Sequence, residues 1–228
     1  MDRTRELKRT NTEAIAAMVA AGASPEAGAG GEFDLIGQIE LAILRYYGLK
    51  PGDFLIDVGC GPGRLAKPLS AYLRGRYSGF DIVDALVDHA KLLVNRPDWR
   101  FESVEHIGIP EPDGCADMVC FFSVFTHLLH EQSYWYLQEA IRVLKPGGTI
   151  VFSFLEFREP AHWPIFLMTL QQTKERQDVP INVFLSREAI NTWASQLGAT
   201  IQDIRNAADL IGCDHGLGQA VCVLSTPQ

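Results

Sequence analysis

Seven residues carry the first chemistry in this chain: Asp57-Val58-Gly59-Cys60-Gly61-Pro62-Gly63. They follow the apolar run Phe54-Leu55-Ile56 and precede a helix-like segment, Arg64 to Leu73. Glycines on alternate positions let a backbone turn sharply and leave room for a ligand against the main chain. A dinucleotide site would need Gly or Ala where Arg64 stands. A Gly-x-x-x-x-Gly-Lys-Ser/Thr phosphate loop is also missing. Asp57, two residues ahead of the first glycine, would repel a pyrophosphate and suits a ligand with a positive charge or an amine. About 20 residues on, Tyr77-Ser78-Gly79-Phe80-Asp81 reads as a second short strand closed by an acid, where a carboxylate can accept from a ribose diol.

Together these residues resemble the class I S-adenosylmethionine (SAM)-dependent methyltransferases. The likeness continues through Glu105-His106-Ile107-Gly108-Ile109-Pro110, then Cys115 to Phe122, then Val124-Phe125-Thr126-His127-Leu128. Arg142-Val143-Leu144-Lys145-Pro146-Gly147-Gly148 is similar to the family's helix exit and turn before its fifth strand. The resemblance covers roughly residues 50 to 155 and implies SAM as methyl donor and S-adenosylhomocysteine (SAH) as product. It implies a cofactor site made of Asp57, Gly59, Cys60, Gly61, Gly63, Asp81, Ile82, Glu105, His106, Phe122 and Ser123. Asp81 falls to the ribose and Glu105 with His106 to the adenine, although the family usually has Asp and then a small residue there. No metal is implied.

An acceptor hydroxyl or amine must lose a proton as it is methylated, and a neutral imidazole takes one near pH 7. His127 is the leading candidate base; His130, Glu131, Glu156 and His162 are weaker ones. Positioning alone can also drive methyl transfer. Aromatic residues that can line an apolar acceptor pocket are Tyr46, Tyr47, Phe157 and Trp163. Of these Tyr47, Phe157 and Trp163, with His127, form the expected substrate-binding set. Trp135 and Phe154 are assigned to the core.

The elements that must position these groups alternate along the chain. Strands are expected near 54–58, 77–81, 99–102, 115–122, 148–154, 200–204 and 220–224. Helices are expected over 1–21, 33–47, 64–73, 84–94 and 131–144, and after Ser186 as N-cap. Such alternation predicts an α/β, Rossmann-like seven-stranded sheet, mostly parallel with one antiparallel strand near the C-terminus and helices on both faces. Residues 1–50 form an N-terminal unit expected to help cover the acceptor site, with a mobile Ala/Gly linker at 21–31. Residues 51–228 form the SAM-binding domain, with an inserted cap near 155–185.

The chain's 228 residues, 47% apolar, suit one domain with an ample core. Net charge is −8, with no basic stripe, which disfavours nucleic acid as partner and favours a small-molecule acceptor. Five cysteines without a Cys-x-x-Cys pair point to reduced thiols and a cytoplasmic protein. Neither a membrane-spanning run nor an export leader is expected. A homodimer is left open. The sugar and secondary-metabolite classes lead as acceptors, by O- or N-methylation. The alternatives are a nucleic-acid or protein methyltransferase, or a SAM-binding module without turnover.

Overall fold

The computed structural model describes residues 3–175, 177 and 181–227. Seven strands form one sheet: β1 (Leu55–Val58), β2 (Tyr77–Asp81), β3 (Arg100–Ser103), β4 (Ala116–Phe121), β5 (Leu144–Phe154), β6 (Thr200–Arg205) and β7 (Ala220–Ser225). Their order is β3-β2-β1-β4-β5-β7-β6. Neighbours from β3 to β5 pair parallel, and β7 runs antiparallel to both β5 and β6. One antiparallel strand near the C-terminus is thus the observed arrangement.

The helices are α1 (Arg3–Ala20), α2 (Phe33–Tyr46), α3 (Ala66–Tyr72), α4 (Asp84–Val94), α5 (His130–Val143), α6 (Trp163–Lys174) and α7 (Arg187–Gln196). Alternate strand residues feed two cores, as the period of two requires. Ile56, Val58, Val119, Phe121, Phe152 and Phe154 pack with α5 and α7 residues Leu137, Ala140 and Ile190. Leu55, Met118, Cys120, Val151 and Val221 pack with Ile39, Ile43, Leu44, Leu69, Val87 and Ala90 of α2, α3 and α4. Helices therefore cover both faces. Ser186 caps α7 as expected, its Oγ accepting from the Ala189 N–H at 3.1 Å.

Two local expectations are corrected. Trp135 is 52% exposed on α5, whereas Phe154 is fully buried. The Ala/Gly stretch is more than a connector: Pro25–Ala29 winds into a 3-10 turn capped by Ser24. Within the cap, α6 ends at Lys174; Met1 and Asp2 of the expected 1–21 helix lie outside the described residues. Among the described residues, no helix is long and apolar enough to cross a membrane.

Strand order fixes where a ligand can sit. Chain connections from β1 run outward to β2 on one side, and from β4 to β5 on the other. The crevice at a doubly wound sheet's switch point opens at the carboxyl ends of the strands flanking it. Those ends here are Val58, leading into the glycine turn, and Phe121, leading into the Phe122–Leu128 loop.

Candidate active site

The glycine turn is bent by backbone conformations that side chains disfavour. Gly59 and Gly61 have φ of 79° and 52°, the left-handed region that glycine enters freely. The N–H groups of Gly59 and Cys60 both donate to the Phe80 carbonyl, at 2.7 and 3.0 Å, tying the turn to β2. A Cβ on Gly59 would lie 2.3 Å from Val124 Cγ2, so the turn touches the loop beyond β4. A Cβ on Gly61 would meet nothing within 4 Å. That glycine faces a cavity of about 200 Å³ lined on one side by the turn and on the other by Phe122, Ser123, Val124, His127 and Leu128.

Asp81 closes the turn. Its Oδ2 accepts from the Gly61 N–H and its Oδ1 from the Val83 N–H, each at 2.9 Å. Two backbone donors leave further lone pairs on the carboxylate for a ligand hydroxyl. Burial raises the Asp81 pKa against those two bonds. Asp57 lies deeper. The Tyr77 hydroxyl donates to its Oδ2 at 2.8 Å and Cys120 Sγ lies 3.6 Å from its Oδ1. Burial, helped by the nearby Glu40 and Asp81 charges, pushes its carboxyl up to about 7. A carboxylate so placed gains from a cation that enters the cavity.

A second charged pair stands on the same wall. Glu40 on α2 is 1% exposed and forms a salt bridge with Arg64. Burial raises the Glu40 pKa and the Arg64 charge opposes that rise. Arg64 Nη1 also donates to the carbonyls of Ala29 and Gly30, at 2.7 and 3.2 Å. One guanidinium therefore ties α2 and the 3-10 turn to the start of the helix after the glycine turn. Asn11, Gly28 and Ala29 complete that wall of the cavity.

The loop after β4 is held tightly. Ser123 has φ of 59°, a conformation that costs a non-glycine residue about 1–2 kcal/mol. Its N–H donates to Ser153 Oγ at 2.8 Å, and Gln219 bridges both serine hydroxyls. Val124 O accepts from the His127 N–H at 2.9 Å. The His127 ring sits with Nδ1 2.7 Å from the Ile181 carbonyl. A carbonyl only accepts, so Nδ1 carries the proton and Nε2 is the ring's acceptor. Burial lowers the His127 pKa below its usual 6.5. The ring is therefore neutral at pH 7 with a fixed tautomer.

Of the residues expected from sequence, Asp57, Gly59, Cys60, Gly61, Asp81, Ile82, Phe122, Ser123 and His127 meet around this one cavity. Gly63 does not line it: a Cβ there would lie 3.1 Å from Ala90 Cβ, so this glycine serves the packing of α4. Glu105 and His106 are exposed after β3, and Val104 lines the cavity instead. Tyr47 is also away from the cavity lining. Its hydroxyl donates to Asp203 at 2.9 Å, and burial with that bond pushes the phenol up to about 12. Phe157 and Trp163 are 62% and 51% exposed and lie outside the cavity lining. Glu156 and His162, weaker candidate bases, are spent on structure. Glu156 is buried and paired with Arg187, while the His162 ring spans the Glu156 backbone and the Gly218 carbonyl.

Sequence reasoning missed Glu40, Tyr136 and the α1 and 3-10 residues. Glu40 did leave a signal: a lone carboxylate within the apolar stripe Ile36, Ile39, Ile43 and Leu44. Such an acid is buried only with a partner. The donor set fits SAM. The open face of Gly61 leaves space against the main chain, Asp81 presents a carboxylate to a diol, and Asp57 suits a cation.

Comparison with known proteins agrees. Residues 56–152 match a family model described as a methyltransferase domain. The 27-O-demethylrifamycin SV methyltransferase of Amycolatopsis mediterranei is 30% identical over 119 residues, 50% of this chain and 43% of that protein. A ubiquinone biosynthesis O-methyltransferase of Xanthomonas campestris is 32% identical over 115 residues, 49% of this chain and 46% of that protein. The chain spans less than half the length of each of these curated relatives. The structure of magnesium protoporphyrin IX methyltransferase from Synechocystis with bound SAH superposes with a TM-score of 0.62 at 14% identity, covering 86% of this chain and 90% of that one. The matched motifs, the switch-point cavity and the strand order agree: residues 56–152 match a methyltransferase domain, and the sheet carries the fold of the SAM-dependent methyltransferases.

Proposed function

We propose that this chain moves the methyl group of SAM to an oxygen or nitrogen of a small molecule, with His127 as general base. The observation that carries the reading is the Gly61 face of the cavity, open to a ligand and bounded by Asp57, Asp81 and His127. Bound SAM supplies an electrophilic methyl on a sulfonium. Asp57 and Glu40 make that wall favourable for positive charge, and Asp81 suits the ribose diol. The Ser123–Leu128 loop orients the incoming nucleophile, and His127 Nε2 takes its proton and passes it to solvent. Of the expected acceptor classes, a secondary metabolite has more support than a bare sugar. Exposed apolar side chains are concentrated in the cap, which bonds His127 through the Ile181 carbonyl, and one relative is named for methylating a rifamycin derivative. The five free thiols support a reducing, cytoplasmic setting.

Calorimetric titration with SAM and SAH tests the cofactor reading, which falls if neither binds at millimolar concentration. Release of SAH in an acceptor screen then separates an enzyme from a module that only holds the cofactor. Labelled methyl retained on bulk RNA or protein, and not on small molecules, would move the acceptor to a macromolecule.

A further inference from the structure

The cap carries an apolar surface that the cofactor site does not use. Among the described residues, six of the twelve large hydrophobic side chains that are exposed lie in one stretch of the chain: Phe157, Trp163, Leu167, Met168, Leu170 and Ile181. Helix α6 has no buried residue, and its only charge is Lys174. Trp163, Leu167 and Leu170 fall at i, i+4 and i+7, so they share one face of the helix. Phe166 stacks on Trp163 with ring centres 5.0 Å apart, and Phe157 stacks on Phe184 at 4.6 Å. A scattered surface leucine needs no explanation, but exposed apolar side chains concentrated in one segment mark a binding surface.

The patch is joined to the mouth of the cavity. Ile181 accepts through its carbonyl from His127 Nδ1, and the Val183 N–H donates to the Thr126 carbonyl at 2.7 Å. Between them, Asn182 donates from its amide to Thr169 Oγ1 on α6 at 2.8 Å. The His127 loop and the patch are thus one hydrogen-bonded unit, although no described residue of 155–185 lines the cavity itself. A small polar acceptor would fit within the cavity mouth and leave this surface idle. One with a single polar end and a long apolar body would use both.

We propose that the acceptor is such an amphipathic molecule: its nucleophilic end reaches past Ser123 to His127, and its apolar body lies along the α6 face. The proposal rests on the methyltransferase reading above and names the chemical class of its acceptor.

The test uses the whole chain with SAH bound and N-phenyl-1-naphthylamine, a neutral apolar fluorophore, as probe. Saturable probe binding is expected, weakened at least tenfold by Leu167→Gln combined with Met168→Gln. Both side chains are about half exposed, so folding is retained. In the same samples SAH binds with wild-type affinity. Para-alkylphenols of rising chain length displace the probe with rising affinity, and phenol does not. Unchanged probe binding in the double variant overturns the proposal while leaving the methyltransferase reading intact, and loss of SAH binding by the wild-type chain overturns the latter. Two other results also overturn it. One is a wild-type dimer in sedimentation that the double variant abolishes. The other is co-sedimentation with neutral phosphatidylcholine vesicles that the double variant abolishes.

Discussion

The two sides of the cavity mouth are built in opposite ways. On the proposed donor side, the charged groups that line the cavity are each held by internal bonds. Asp81 is fixed by two backbone donors, Asp57 by Tyr77, and Arg64 by Glu40 and two carbonyls. On the proposed acceptor side, α6, which has no buried residue of its own, presents Trp163, Leu167 and Met168 to solvent. A cofactor of constant shape is met by a rigid polar cradle. A surface of stacked rings and flexible apolar chains suits variable apolar bodies, because such contacts are not directional. His127 stands between the two, lining the cavity and bonded to the cap.

That contrast can be broken by variants that move one side alone. The largest effect is expected at the junction. His127→Ala should lower kcat about a thousandfold, within the range for a general base, with SAH affinity changed less than about threefold. The wild-type pH profile should show an acid limb below the usual histidine value of 6.5, because burial lowers this pKa and only the neutral ring accepts a proton. In the variant that limb disappears, and added imidazole restores part of the rate.

Next comes the buried pair. Arg64→Met leaves Glu40 unpaired at 1% exposure, which costs about 3 kcal/mol of stability. Urea unfolding should show the loss, and the double variant Arg64→Met with Glu40→Leu should recover most of it. Gly61→Val is expected to weaken SAH binding about a hundredfold by filling the open face and straining the left-handed backbone. Probe binding to the cap should be unaffected, as measured in the same titration.

A smaller effect comes from Asp57. Its carboxyl rests at about 7, and its charged form is the one that favours a cation. SAM affinity should therefore fall as pH drops below 7, approaching about tenfold per pH unit, and binding at pH 7 should release protons. Calorimetry in two buffers of different ionisation heat reads both, and Asp57→Asn should flatten the profile. The smallest change is in stability of the cap: Leu167→Gln should shift unfolding by no more than about 0.5 kcal/mol, since the side chain is already 47% exposed.

The seven-stranded, mostly parallel sheet and the bend of the glycine turn were legible in the residues alone. Strand patterns alternate with helical ones, and local turn chemistry is written in consecutive residues: Gly59 and Gly61 for the bend, Asp81 one strand later. Such features depend on near neighbours and on backbone conformation, so they survive without knowledge of the fold. Tertiary structure decided the rest because it depends on contacts between distant segments. It placed Glu40 from α2 and Ala29 from the 3-10 turn against Arg64, and it turned Gly63 toward Ala90 and away from the cavity. Glu105 and His106 emerged exposed, since the direction taken after β3 sets which way they face. Tyr47 and the cap aromatics, legible only as apolar and unplaced, were sorted by packing. Tyr47 went to Asp203, while Phe157 and Trp163 stayed at the surface. His127 was legible as an imidazole beside the fourth strand, but its protonation was not. The Ile181 carbonyl, 54 residues away in sequence, fixes its tautomer, and burial sets its charge.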